Sequence, residues 1–265
     1  MTPGLVGAAL RALRRSIVWW SIGIAALVAA TVAFWPAFRG ASGISAAIDS
    51  LPAPVISAFG LQGFGTPAGF LRGNLYELFV PLLLTIAVAA FVNGQTASDE
   101  RAGRLELLLS QPIARRRLFA TRGSGALLAL VLVATAVLAV QLAMDAAIGL
   151  SIDAGLVAST IALCALLAAL HGSLAYLIAC LRPRSALVLG GALGVALGGY
   201  VVNALFPLAS ALKPWVGLSP WQWALGGDPL VNAAEPWRYL ALVIPTLVLL
   251  VVGTLVVRRR DVEAA

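Results

Sequence analysis

Six stretches of this chain stay apolar over roughly the 20 residues that a helix needs to cross the hydrocarbon core of a bilayer. They lie near 17–38, 75–97, 123–149, 155–181, 185–207 and 238–257. No other feature restricts the fold as strongly, because a soluble domain has no interior large enough to bury six such helices. The mean hydropathy of +0.97 agrees, and no shift in composition marks a second folded unit. The expectation is an all-α integral membrane protein of six transmembrane helices, one domain over residues 1–265. The first stretch is too long for a cleavable signal, and Trp19, Trp20 and Trp35 read as interfacial anchors of a retained span.

The basic residues orient this arrangement. One set of connections carries Arg11, Arg14 and Arg15; Arg101, Arg104, Arg115, Arg116, Arg117 and Arg122; Arg182 and Arg184; and Arg258, Arg259 and Arg260. That is 14 of the 18 basic residues, and the other set holds only Arg39, Arg72, Lys213 and Arg238. The positive-inside rule then places both termini in the cytoplasm. It also explains the formal charge of +7 as topology rather than nucleic-acid binding, since the arginines fall in short clusters between apolar runs. Cys164 and Cys180 both fall in the fourth span. Sixteen residues along one helix is about 24 Å, too far for a bridge, so they read as buried fillers.

The longest cytoplasmic connection begins SDERAGRLELLLSQPIARRR, residues 98–117. Ser98 is placed to cap a helix, with Asp99 and Glu100 in its first turn, where negative charge is favoured. Glu100 and Arg104 are four apart and able to pair. Leu105, Leu108 and Leu109 share one helical face, with Glu106 off it. Pro112 ends the segment. The product is a short amphipathic helix. It either lies in the headgroups, with Arg115, Arg116 and Arg117 drawn to anionic lipid, or docks on a soluble partner. The arginine-bearing arm 5–15 is a second amphipathic candidate.

The outer connections 39–74 and 208–237 are rich in Pro, Gly and aromatics. Trp215, Trp221, Trp223 and Trp237 suit an interfacial belt or short re-entrant helices. In span five Gly190, Gly194 and Gly198 form a small-residue stripe that permits close helix approach, within the subunit or at a dimer seam. Polar groups inside spans are few: Asn93, Gln95, Gln141, His171 and Asn203. A lone histidine without other ligands at metal spacing reads as a packed core residue, and no metal site is expected. GASG at 40–43 raises an intramembrane serine protease, with Ser42 as nucleophile and His171 as base, but Ser42 falls in a loop. An ion-coupled carrier is a further alternative. Such carriers place charges inside spans, whereas Glu77, Asp145 and Asp153 read as near the outer edges.

The stretch 98–119 resembles the signature loop of ABC type-2 exporter permeases. The matching positions are Glu100, Gly103, Leu105, Glu106, Leu107, Leu108, Leu109, Pro112 and Arg115; Arg104 stands where that family often has Thr or Ser. TPAGFL at 66–71, LSP at 218–220 and RRRD at 258–261 are similar as well. The resemblance implies a permease subunit in a bacterial cytoplasmic membrane, with Glu100 to Arg115 as a cytoplasmic coupling helix between spans two and three. It implies two copies of a separate ATPase subunit holding ATP and Mg, and a second permease half, the same or homologous. Spans two and five then lie near the dimer axis, which makes Asn93 and Asn203 pathway candidates and the glycine stripe a seam. The implied cargo is amphipathic or hydrophobic; drug, peptide, lipid and polysaccharide-lipid all remain open, as does a role in maturation of a periplasmic copper enzyme. No residue of this chain is expected to be catalytic and no cofactor is expected in it. No G-x-x-x-x-G-K-[ST] phosphate loop exists, the one lysine being Lys213, so the nucleotide must be bound elsewhere.

Overall fold

A computed structural model describes residues 3–39, 43, 47–48, 50–52, 55–56, 61–101 and 114–257. It is helical throughout, with no strand among the described residues. The helices are α1 (Pro3–Ala33), α2 (Trp35–Arg39), α3 (Pro67–Leu71), α4 (Phe79–Gln95), α5 (Ala97–Arg101), α6 (Arg115–Ile148), α7 (Ala154–Leu181), α8 (Ser185–Leu205), α9 (Pro220–Leu225) and α10 (Pro236–Val256). A π-helical turn, Arg72–Tyr76, joins α3 towards α4.

Six apolar segments are long enough to cross a membrane: 6–39, 67–99, 116–148, 154–181, 185–208 and 236–256. This is the architecture of a multi-pass membrane protein. Three of them, the first, second and third, start well before their sequence-based bounds. The arm 5–15 is no separate surface helix, because α1 runs unbroken for 31 residues, about 46 Å at 1.5 Å per residue. Segment two starts at Pro67 rather than 75, so Arg72 belongs to it rather than to a loop. Thr66 accepts a hydrogen bond from the Gly69 amide and Pro67 takes the first helical position, both standard ways to start a helix.

The layers follow from burial. In the most apolar stretch of α7, 67% of residues are buried, and 61% in segment 67–99, against 17% in α1, α8 and α10. α7 is therefore the central helix, packed against α4, α6, α8, α9 and α10, while α1 lies mainly on α6. Gly172 allows the approach of α4, since a Cβ there would lie 2.6 Å from Val88. Large apolar side chains remain exposed along the outer helices, among them Trp19, Ile22, Val131, Val195, Ile244 and Val251. An apolar surface of that extent is foreign to water and natural in lipid.

One end of the bundle gathers Ala9, Gln95, Gly125, Tyr176 and Gly253. The Gln95 amide donates to the Ala9 carbonyl at 3.3 Å, and Gly125 packs on Ala9. Gly123 and Gly253 both lie against the Tyr176 ring. This is the arginine-rich end. The opposite end is built from residues 61–78 and 206–238. Trp35, Phe38, Phe64 and Phe70 form an aromatic cluster there, with Trp35 and Phe70 centroids 5.4 Å apart. Trp35 is buried rather than an interfacial anchor, whereas Trp19 is exposed. Trp221 is likewise no belt residue. It is fully buried, and its indole donates to the Ala196 carbonyl at 2.8 Å, which fixes short helix α9 against α8.

Candidate functional site

The described ends of the stretch 98–117 belong to two helices. Glu100 lies in α5 and Arg115 opens α6. Gly103, Arg104, Leu105, Glu106, Leu108, Leu109 and Pro112 lie outside the described residues. Ser98 does not cap α5; it lies one residue inside a helix that begins at Ala97. The anchoring is done by a residue that sequence reasoning counted only as a topological charge. Arg122, buried on α6, donates to the Gln95 carbonyl at the end of α4. It also pairs with Asp99 at 2.9 Å. One guanidinium thus ties together α4, α5 and α6, so both ends of the connection are mounted on the bundle. A buried arginine satisfies such a role well because its planar fork serves two acceptors at once.

Asn93 and Asn203 do not meet. Asn93 sits two residues before Gln95 at the arginine-rich end. Asn203 lines a cavity at the other end. Each holds a buried side-chain oxygen with no hydrogen-bond partner, so each is a polar group left open. The glycine stripe is resolved more sharply. A Cβ at Gly190, Gly194 or Gly198 would meet nothing within 4 Å, whereas Gly191 packs on Ile178 and Gly199 on Trp221. The stripe therefore does not serve packing inside the subunit; it faces outward.

The other buried polar residues of the spans are satisfied only in part. The His171 Nδ1 lies 2.8 Å from the Leu167 carbonyl, one turn back, as expected of a core histidine; its Nε2 is buried without a partner. Ser42 lies outside the described residues. Cys164 and Cys180 are both buried, and neither forms a disulfide. Among the described residues no group of three His, Cys, Asp or Glu is placed to hold a metal. Gln141 accepts from the Tyr76 hydroxyl at 3.1 Å and donates to Asp145 at 2.6 Å. The second Asp145 oxygen is buried and unpartnered, so this carboxyl is less peripheral than its position near a span end suggests.

A polar site lies at the end opposite the arginines. A cavity of about 530 Å³ is lined by Arg72, Glu77, Asn203, Lys213, Gln222 and Asp228, with others. The π turn supplies Arg72 and, directly after it, Glu77. Its wide hydrogen bond, Glu77 amide to Arg72 carbonyl at 2.8 Å, lets both side chains line the same space; such turns recur at functional sites. Asp228 comes from the opposite wall in a left-handed conformation, φ +53°, which Asp tolerates better than most residues. Arg72 pairs with Asp228 and donates to the Gln62 carbonyl, pinning residues 225–228 to the second span. Burial nevertheless pushes the Asp228 carboxyl above the usual carboxylate range, against the pull of Arg72. The fringe is held by Arg238, which donates to the Gln222 and Trp223 carbonyls at 3.0 and 3.1 Å. Sequence reasoning missed this site because Arg72 and Glu77 lie on the second segment, Lys213 and Asp228 lie far along the chain on the connection after the fifth, and the four share no motif.

No family model matches the chain, and neither does any curated protein. The functional reading therefore rests on the residues and their arrangement.

Proposed function

We propose that this chain is the membrane-spanning permease subunit of an ATP-driven exporter of the ABC type-2 kind. In this reading both termini and residues 98–122 face the cytoplasm of a bacterial cell, and the polar cavity opens to the outside. Two permease halves meet across α8, and residues 98–117 dock on a separate ATPase that holds ATP and Mg. The observation that carries the reading is the mounting of residues 98–117. A loop that transmits force needs stiff ends, and Arg122 supplies them by joining α4, α5 and α6 where the described residues stop and resume. The outward glycine stripe supports a second half, because small residues let another backbone approach closely. Cargo amphipathic or hydrophobic in character suits an apolar bundle with polar groups at its two ends.

The test is co-purification. An ABC ATPase should be recovered with the wild-type chain from its native host. Leu108→Ser with Leu109→Ser should reduce that recovery at least tenfold while membrane insertion is unchanged, because no span is altered. Each buried leucine contributes about 1.5–3 kcal/mol when fully covered. Full recovery of the ATPase with the double variant, or none with the wild type, overturns the proposal.

One observation favours a second reading, an ion-coupled carrier working alone. Glu77 lies about ten residues into the second segment, and Asp145 is buried on α6. Carboxyls in such places serve ion coupling in carriers. Transport by the purified chain in vesicles, driven by an ion gradient with no ATPase, would establish that reading instead.

A further inference from the structure

The cavity at the end opposite the arginines has an unbalanced interior. Two carboxylates, Glu77 and Asp228, share it with a single partly buried cation, Arg72, while Lys213 stands exposed at its rim. Arg72 is already engaged by Asp228 and by the Gln62 carbonyl. Two acceptor oxygens are buried there with no hydrogen-bond partner: the Asn203 Oδ1 and the Asp228 Oδ1. Buried acceptors left without donors cost about 1–3 kcal/mol each, so the site calls for a group that brings donors and positive charge. A primary ammonium brings three N–H donors and one charge. A divalent metal fits less well, since no three-ligand cluster is present among the described residues.

The whole lining balances differently from its interior. Arg72 and Lys213 together offset Glu77 and Asp228. A ligand that is itself neutral in sum, with its ammonium inward and an anionic group near Lys213, preserves that balance. The volume of about 530 Å³ falls in the range of small-molecule sites. We propose that this cavity binds a zwitterion carrying a primary ammonium, with Glu77, Asn203 and Asp228 receiving the ammonium and Lys213 facing the anion. Such a group occurs in free phosphoethanolamine compounds and in the head group of a lipid. The binding site is independent of any ATPase contact, so its failure leaves the coupling proposal standing, and the reverse also holds.

The experiment uses the full chain in phosphatidylcholine nanodiscs, titrated calorimetrically with glycerophosphoethanolamine and with glycerophosphocholine. Glycerophosphoethanolamine should bind at least tenfold more tightly, because the trimethylated nitrogen has no N–H to donate. Glu77→Gln should weaken that binding about tenfold and remove most of the preference. Asn203→Leu should weaken it severalfold. Glu235→Gln, outside this cavity, should leave it unchanged. The comparison of the two ligands on the wild type needs no variant, so poor folding of a variant does not spare the proposal. Discs containing phosphatidylethanolamine separate the sources. Loss of glycerophosphoethanolamine binding in those discs identifies the lipid head group as occupant; unchanged binding identifies a dissolved ligand. Equal binding of the two probes, no binding of either, or full binding by Glu77→Gln would overturn the proposal. The last two results would mean that a proton, not an ammonium, balances the second carboxylate.

Discussion

Gly172 and Gly194 are the same residue in two adjacent helices of the bundle, and their surroundings give them opposite roles. At Gly172 an added Cβ would lie 2.6 and 2.9 Å from the two Val88 methyls. Gly172→Ala should therefore destabilise the subunit by about 1–3 kcal/mol, the usual cost of overpacking, read as a lower unfolding temperature in detergent. At Gly194 the same Cβ meets open space, so Gly194→Leu should leave that temperature unchanged. If α8 is the seam between two halves, Gly194→Leu should instead convert a dimer to a monomer by light scattering. A dimer that persists removes α8 from the interface. Trp221 makes a third residue-scale case. Its indole is fully buried and bonded to Ala196. Trp221→Ala should cost about 3–5 kcal/mol, while Trp215→Ala, at an exposed site, should cost little. Equal unfolding temperatures for the two variants would contradict the placement of Trp221 in the core.

At the scale of elements, the informative unit is the junction of α4, α5 and α6. Arg122 replaces what a longer helix would otherwise provide, a rigid connection between the end of one span and the start of the next. Arg122→Ala removes the hydrogen bond to the Gln95 carbonyl and the Arg122–Asp99 ion pair. The loss should be about 1–3 kcal/mol, accompanied by faster proteolysis between residues 97 and 115. Unaltered proteolysis would mean that α5 is held by other contacts. The same junction shows what patterning can and cannot reveal. Asp99 looks like a residue favoured at a helix start, and its position in the first turn of α5 is consistent with that. Its partner is 23 positions away on another helix, and no local spacing rule points to it. The π turn is similar. Nothing in RGNLY announces a wide turn, yet it is what brings Arg72 and Glu77 to one cavity.

For the whole molecule, the count of spans predicts sidedness that labelling can read. With Cys164 and Cys180 replaced, Ser50→Cys and Asn232→Cys should react with an impermeant thiol reagent applied to intact cells. Both positions are exposed at the end opposite the arginines. Gly103→Cys should react only after the membrane is permeabilised. Labelling of Gly103→Cys from outside would invert the arrangement and place the zwitterion site in the cytoplasm. The number and approximate place of the spans were legible in the sequence, because the requirement for about 20 apolar residues acts locally and independently on each helix. So were the buried cysteines and the packed histidine, whose chemistry leaves few other places for them in an apolar chain. The sequence also made the glycine stripe visible. Only the packed bundle showed that its 190–194–198 edge points outward while Gly191 and Gly199 are used inside. The polar cavity was decided entirely by tertiary structure, because its charges come from the second span, the residues after span five and the turn at Asp228. Charges scattered along a chain carry no sign of meeting until the helices between them are packed.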